Sequence, residues 1–408
     1  MKRVVITGVG CVSPFGAGVD ALREGILSSR KVFAPVRKFD GSQYGIDAAA
    51  EIPEDVDLGG LEGSRPSRLI QRAAEEALAD AGLGEADLRD AAIVLGTTLG
   101  SDEISSALWH EFNGLEPDYV AVMGSMAECG GRALVDRWKI GGPCLTVITA
   151  CAAGTNAIGL GLDLIRTGRA DRVVVGGLDT LTQLIYGGFA SIGALGGECR
   201  PFAAGSRRQG TVLGENAAVL VLEAEESAGE RGAEAYAEVL GYGLSNDAHH
   251  MTAPEPEGLG AALAMLRCLE HAGLAPEDVD YVNAHGTGTR LNDPVEVAAL
   301  RRVFGERLAE VPVSSLKSQI GHGLSSGGAI EAIATVLGLK ERFLPPTAHA
   351  EPPLDPNLDF VPEPRATSGV RTAMSNSFAF GGHNASIAFS VWEGAESPGG
   401  RCSRGASR

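Results

Sequence analysis

Two similar α/β halves, each a sheet covered by helices, form the architecture that the sequence predicts. Three observations predict it. Segments from the first part of the chain recur in the same order in the second. Apolar strand-like runs alternate with helical stretches, the pattern of mixed or parallel sheets with helices on their faces. The chain has 408 residues, too many for one average domain and suited to two fused units.

The repetition fixes the plan of the fold. Residues 4–10 (VVITGVG) resemble residues 237–243 (AEVLGYG), and each segment opens with a strand. Residues 76–96 and 269–286 both run from an amphipathic helix through an AGL stop into an apolar strand that ends in glycine. Residues 145–168 and 311–337 share a third plan: a β run, a turn of polar or small residues, then a Gly/Ala-rich helix. Residues 214–222 (GENAAVLVL) echo residues 382–390 (GHNASIAFS). The halves are then 1–235 and 236–392, with residues 225–235 as a helix or linker at the join. The helices after Cys151 and His322 are too apolar for a surface, which places them between two sheets. Residues 393–408 have no apolar period and read as a disordered tail.

Composition narrows the class of function. Hydrophobic residues make up 44% of the chain and charged residues 21%, enough to bury a large core. The net charge of −18 argues against nucleic-acid binding, because phosphate contacts need clustered Lys and Arg. No apolar run is long enough to span a membrane. Residues 1–8 form a short strand-like run without a cleavage site. The seven cysteines form no CxxC pair and read as reduced thiols in a cytoplasm.

Three segments carry residues that can do chemistry. Cys151 sits in ITACAAGTNAIG, where an apolar strand meets a helix of small residues. A cysteine at a helix N-terminus sees the positive end of the macrodipole, so its pKa is expected to fall. Ala150, Ala152 and Ala153 leave room for a substrate. His285 lies in NAHGTGTRLND, past the end of an apolar strand, and His322 follows Lys317 by five residues in SSLKSQIGHGLSSGG. The repeat gives Cys151 and the turn of Lys317 and His322 equivalent places in the two halves. If the halves pack as a pseudo-dimer, both turns meet near its axis, and His285 ends a strand on the same edge.

The motifs around these residues resemble the β-ketoacyl–acyl carrier protein synthases, specifically their Cys-His-His group. RPF at 200–202, VLGENAAVLVLE at 212–223 and SNSFAFGGHN at 375–384 belong to the same pattern, and the resemblance covers about residues 1–392. It implies a thiolase fold, a layered αβαβα sandwich. It implies Cys151 as the acyl-accepting nucleophile, His285 and His322 as the pair facing the malonyl group, and Lys317 as their charged support. Backbone N–H groups of Cys151 and Phe380 would form the oxyanion hole. Thr287 and Thr289 would bind the phosphopantetheine arm. Phe380 would gate the acyl pocket, with Phe378 beside it and Leu99 lining it. Arg65 and Arg208 would lie near the pocket mouth and dock the acyl carrier protein. The implied reaction is a decarboxylative condensation in fatty-acid or type II polyketide biosynthesis. It needs no metal or nucleotide, since the substrates ride on the carrier's phosphopantetheine. The implied assembly is a homodimer, or a heterodimer with a ketosynthase-like chain-length partner. The alternative is a non-elongating subunit or a specialised acyl-transfer or cyclisation enzyme on the same fold.

The chain departs from that pattern in five places. Arg208-Gln209-Gly210 stands for RDG, and Gly214-Glu215-Asn216 for GEG. Gly381-Gly382-His383-Asn384 stands for GGTN, and Arg65-Pro66-Ser67 for RMD. The stretch before the nucleophile is shortened to VAVMGSMAECGG at 120–131. These departures point to a specialised synthase. A short-chain dehydrogenase would need a YxxxK that is absent. A serine hydrolase could claim Gly323-x-Ser325-x-Gly327, which the resemblance explains as helix packing.

Overall fold

A computed structural model describes residues 2–98, 111–112, 114, 116, 126–205, 210–348 and 351–394. Ten strands build the body. The first five are β1 (Val4–Ser13), β2 (Ala92–Gly96), β3 (Cys144–Val147), β4 (Arg172–Asp179) and β5 (Asn216–Ala224). The second five are β6 (Ala237–Asn246), β7 (Tyr281–Asn283), β8 (Val313–Ser314), β9 (Thr372–Phe378) and β10 (His383–Val391). Their spatial order is β3-β2-β4-β5-β1 in one half and β8-β7-β9-β10-β6 in the other. Strand for strand the two orders are the same. So are the directions: the first three strands of each list pair in parallel, the last two antiparallel.

The likeness extends to irregularities. The register of β1 on β5 shifts between Ile6 and Gly8, and that of β6 on β10 between Val239 and Gly241. The two arrays also touch edge to edge, through Val5 opposite Glu238 and Ile6 opposite Ala237. The ten strands therefore form one hydrogen-bonded path where two separate sheets were expected. The cause is that β1 and β6, the innermost strand of each half, run antiparallel side by side at one corner.

Helices supply the other layers. The main ones are α1 (Arg65–Asp80), α2 (Ala153–Arg166), α3 (Leu259–Ala272), α4 (Asn292–Phe304) and α5 (Ser325–Glu341). The helices α2 and α5 lie between the two arrays. Ile158, Leu162, Ile330 and Ile333 share one core there with Val94, Val175 and Leu220 of one half and Val239, Ile387 and Phe389 of the other. In α5 every residue from Ser325 to Leu339 is buried, which is why its sequence shows no polar face. The outer face of the first half is covered by α1, packed on Val174, Val219 and Val221. That of the second half is covered by α3 and α4, packed on Val282, Met374 and Ala388. The result is the five-layered αβαβα sandwich. Central strands are buried on both faces and read as continuous apolar runs.

Where α2 meets α5, glycine lets the backbones touch. A Cβ on Gly154 would lie 2.4 Å from the Ser325 carbonyl oxygen, and one on Gly328 would lie 2.3 Å from Thr155 Oγ1. Gly154→Ala is therefore expected to lower stability by about 1–3 kcal/mol, the usual cost of overpacking. Gly229→Ala, in a helical position with nothing within 4 Å of the new methyl, should be neutral or add about 0.5–1 kcal/mol. Denaturant midpoints compare the two. Equal midpoints would contradict the close crossing.

Candidate functional site

Three turns converge at the N-termini of α2 and α5. The first leaves β3 and enters α2 through a short 3-10 turn at Ala150–Ala152. Strand becomes helix within a few residues, which drives Ala150 to a φ of 47°. A left-handed non-glycine residue costs about 1–2 kcal/mol. Cys151 follows it, 6% exposed. The second turn carries His322, whose backbone is fixed on both sides: its N–H donates to Val212 O at 2.7 Å, and its carbonyl accepts from Gly214 N at 2.9 Å. This places His322 Nε2 3.1 Å from Cys151 Sγ.

The third turn leaves β7 and carries His285. Two buried carboxylates of α4 hold it. Glu296 accepts from the N–H groups of His285 and Gly286, both at 2.7 Å, and Asp293 from Gly288 N at 3.1 Å. Burial pushes both carboxyls up, Asp293 to about 6 and Glu296 to about 7, against the N–H donors that favour the charged forms. The imidazoles of His285 and His322 then stand edge to face, 5.3 Å apart at 84°.

The charges at this junction are buried with it. Lys317 Nζ lies 2.5 Å from Glu331 Oε1, and both side chains are 2% exposed. Burial first, and then the Lys317 ammonium, hold both imidazoles well below the usual histidine range. Both rings are therefore neutral at pH 7. Neither Nδ1 has a hydrogen-bond partner among the described residues. The expected fall in the Cys151 pKa is corrected. Burial pushes the thiol up to about 12, and Lys317 offsets only part of it. The helix end therefore faces a resting thiol, not a thiolate.

A cavity of about 320 Å³ opens onto Cys151, His285 and His322. Thr287, Thr289, Phe378 and Phe380 also line it. Phe380 begins a short turn, Phe380–Gly382, packed beside the turn of Cys151. Its ring lies 5.2 Å from that of Phe189, tilted by 34°, and Phe189 itself stands 6.4 Å from His322. Phe378 lies 5.9 Å from His285. Of the other residues singled out in the sequence, Leu99 and Arg208 fall outside the described residues, as do positions 395–408. Arg65 is not among the residues that line this cavity. Its guanidinium lies 2.9 Å from the buried carboxylate of Glu215, and it borders a different hollow with Arg68 and Ile52. Burial alone would raise the Glu215 pKa, but Lys38 and Arg65 hold it below the ordinary value.

Several residues that hold the site were not singled out in the sequence. Glu331 had a signal: it is the one charged side chain in the apolar run 325–339. Asp293 and Glu296 had a weaker one, an acidic pair one helical turn apart right after HGTGT. Phe189 and Asp179 had none. Asp179 accepts from Ser325 N at 2.9 Å and Ser325 Oγ at 2.5 Å, and from Thr98 and Thr97 hydroxyls. Ser325 is thus a capped, fully buried serine, and the literal GxSxG is a packing motif. Among the described residues, no His/Cys/Asp/Glu group could hold a metal ion, and no helix is long and apolar enough to cross a membrane.

Comparison with known proteins adds names to this geometry. Residues 1–228 match the β-ketoacyl synthase N-terminal domain, and residues 236–351 match its C-terminal domain. The 3-oxoacyl-[acyl-carrier-protein] synthase 2 of Staphylococcus aureus (strain N315) is 38% identical over 420 residues, which cover 96% of this chain and 99% of that protein. The protein of the same name from Synechocystis sp. is 36% identical over 416 residues, with the same coverage. Among solved structures, the ishigamide ketosynthase/chain length factor superposes with a TM-score of 0.90 at 37% identity, covering 96% of this chain and 99% of that one. A type II polyketide ketosynthase in complex with its acyl-carrier protein superposes at 0.88 with 28% identity, covering 96% and 100%.

The buried thiol generates a test. Only the thiolate attacks a haloacetamide, so alkylation of Cys151 should climb with pH past 9 without levelling off. Mass spectrometry of the labelled peptide follows the rate. A plateau below pH 8 would mean that the resting residue is already ionised.

Proposed function

The chain belongs to the β-ketoacyl synthase family and is an acyltransferase that condenses an acyl group with a malonyl thioester, in fatty-acid or polyketide synthesis; we propose how its residues divide that work. The observation that carries the proposal is the convergence of one thiol and two neutral imidazoles on one cavity, Cys151 touching His322 at 3.1 Å.

In the first half-reaction, Cys151 Sγ attacks the carbonyl carbon of an acyl thioester on an acyl carrier protein. The thiol proton passes to His322 Nε2 as the new C–S bond forms. The oxyanion lies between the backbone N–H groups of Cys151 and Phe380, at the positive end of α2. The bond to the carrier sulfur breaks, that sulfur takes the proton, and the carrier leaves as its thiol. The acyl group stays on Cys151.

In the second half-reaction, a malonyl thioester enters along Thr287 and Thr289. Its carboxylate leaves as CO2, and the electron pair of the broken C–C bond becomes an enolate. N–H groups of His285 and His322 donate to the enolate oxygen, each worth about 2.7–4 kcal/mol. The enolate carbon attacks the Cys151 thioester, and the β-ketoacyl product leaves on the carrier. Cys151 departs as thiolate and takes up one proton, which its high affinity for protons favours. Lys317 acts through the imidazoles by keeping them neutral. Phe380 separates the acyl pocket from the malonyl site. No resident cofactor enters these steps.

The proposed partners are an acyl carrier protein and a second subunit of the same fold, either a copy of this chain or a chain-length partner. In support, the edge strand β3 leaves Leu145 37% exposed, with Ile148 just past it 57% exposed. An open apolar strand edge calls for cover. Related ketosynthases are known with their acyl-carrier protein and with a chain length factor. The cytoplasm is the proposed place of work.

Replacing His285 or His322 with alanine should slow malonyl decarboxylation by about two to three orders of magnitude, the loss of one oxyanion donor. Cys151→Gln should abolish condensation yet keep releasing CO2, because the enolate site does not use the thiol. Release of labelled CO2 reads both. Decarboxylation at the wild-type rate in both histidine variants would remove the pair from the reaction.

A further inference from the structure

The loop that leaves His285 is graded from the cavity floor to its rim. His285 is 3% exposed and Thr287 6%, Thr289 is half-buried, and Arg290 is exposed. All four line the cavity. Going outward, the wall presents an imidazole, two hydroxyls and a guanidinium. A thioester on a phosphopantetheine arm presents the same order of chemistry: a thioester, two amides, and last a phosphodiester anion.

The charges on that wall leave Arg290 available. It is the one permanently cationic side chain lining the cavity among the described residues, and it makes no ion pair with any of them. The one carboxylate there, Asp247, is already engaged. Its Oδ1 accepts from Asn384 Nδ2 at 2.6 Å, and its Oδ2 accepts from Glu255 N at 3.0 Å. The lining also carries exposed apolar side chains, Ile192 47% and Leu291 60% exposed. Low-polarity walls focus the field of a single charge. A chain with a net charge of −18 would otherwise repel an arriving phosphodiester at that mouth.

We propose that Arg290 is a positioning residue that binds the phosphodiester of the carrier's phosphopantetheine arm and sets the depth at which the thioester reaches Cys151. The planar guanidinium suits two phosphate oxygens at once. The proposal rests on the carrier-thioester reading of the site.

The experiment compares malonyl-phosphopantetheine with malonyl-pantetheine, which lacks only the phosphate. Wild-type enzyme should show a higher kcat/KM for decarboxylation of the phosphorylated thioester, carried by KM, and the preference should fade with added salt. In Arg290→Ala the ratio of the two kcat/KM values should fall about tenfold, equivalent to roughly 1.4 kcal/mol. Arg290→Lys should keep part of the preference, because it keeps the charge and loses the fork. A ratio unchanged in Arg290→Ala overturns the proposal. So does a wild-type enzyme that treats the two thioesters alike, a result that needs no variant to fold. An enzyme that decarboxylates neither thioester would overturn the condensing reading instead.

Discussion

At the centre of the molecule α2 and α5 touch backbone to backbone, Gly154 against the Ser325 carbonyl and Gly328 against Thr155. The contact lies at the N-terminal end of both helices, so the turns that precede them meet there too. Cys151 stands three residues before Gly154, and His322 six before Gly328. Neither could reach the other if the helices were held apart by ordinary side chains, whose interaxial spacing is about 8–10 Å. The short N–H and C=O ties between His322 and the 212–214 segment then set the ring within that narrow gap. A packing constraint thus decides a 3.1 Å approach between a thiol and an imidazole.

The same close packing decides the electrostatics. The charges at the junction are buried, and a buried charge is costly unless it is paired. The Lys317–Glu331 pair lies wholly inside the protein. Such a pair seldom adds net stability, because desolvation of the two ions offsets their attraction. Its effect on the neighbours explains its presence better. An ammonium beside His285 and His322 makes protonation of either ring unfavourable and adds to what burial already does. In the proposed mechanism both rings serve as neutral N–H donors to the enolate, the form that the ammonium favours, at the expense of His322 as a proton acceptor. Under that proposal the cost of burying Lys317 serves the chemistry rather than the folding.

Much of this was legible in the sequence, for identifiable reasons. The doubled topology showed as recurring segments, since each half must repeat the same strand and helix order. The burial of α5 showed because a helix packed on all sides needs no polar face. Cys151, His285, His322 and Lys317 stood out through the motifs around them, and the structure brings all four to one junction. What stayed hidden was tertiary. A sequence gives the helix end at Cys151 but not the depth of burial over it, so the direction of its pKa shift was misjudged. The ion pair of Arg65 with the buried Glu215 joins residues 150 positions apart, which no local pattern shows. The contact between the two sheets at Val5 and Ile6 depends on how the halves dock, which no local pattern encodes.

The duplicated plan also raises the question of why only one half is reactive. Ser325 holds in α5 the place that Cys151 holds before α2, three residues ahead of the crossing glycine. Its hydroxyl and its N–H are both taken by Asp179, the last residue of β4. In the other half, the end of β9 offers Ser377, whose hydroxyl meets Thr155 of α2 at 2.8 Å. The difference matters electrically. A carboxylate at a helix N-terminus satisfies its free N–H groups and cancels its positive end. On α5 that is harmless, and it holds Ser325 in place at the first turn. On α2 it would occupy the N–H groups that the proposed oxyanion at Cys151 would use, and it would raise the thiol pKa further. Placing the acid on one side of the pseudo-twofold and a neutral hydroxyl on the other leaves one helix end without a carboxylate, the end at which the proposed mechanism puts the oxyanion.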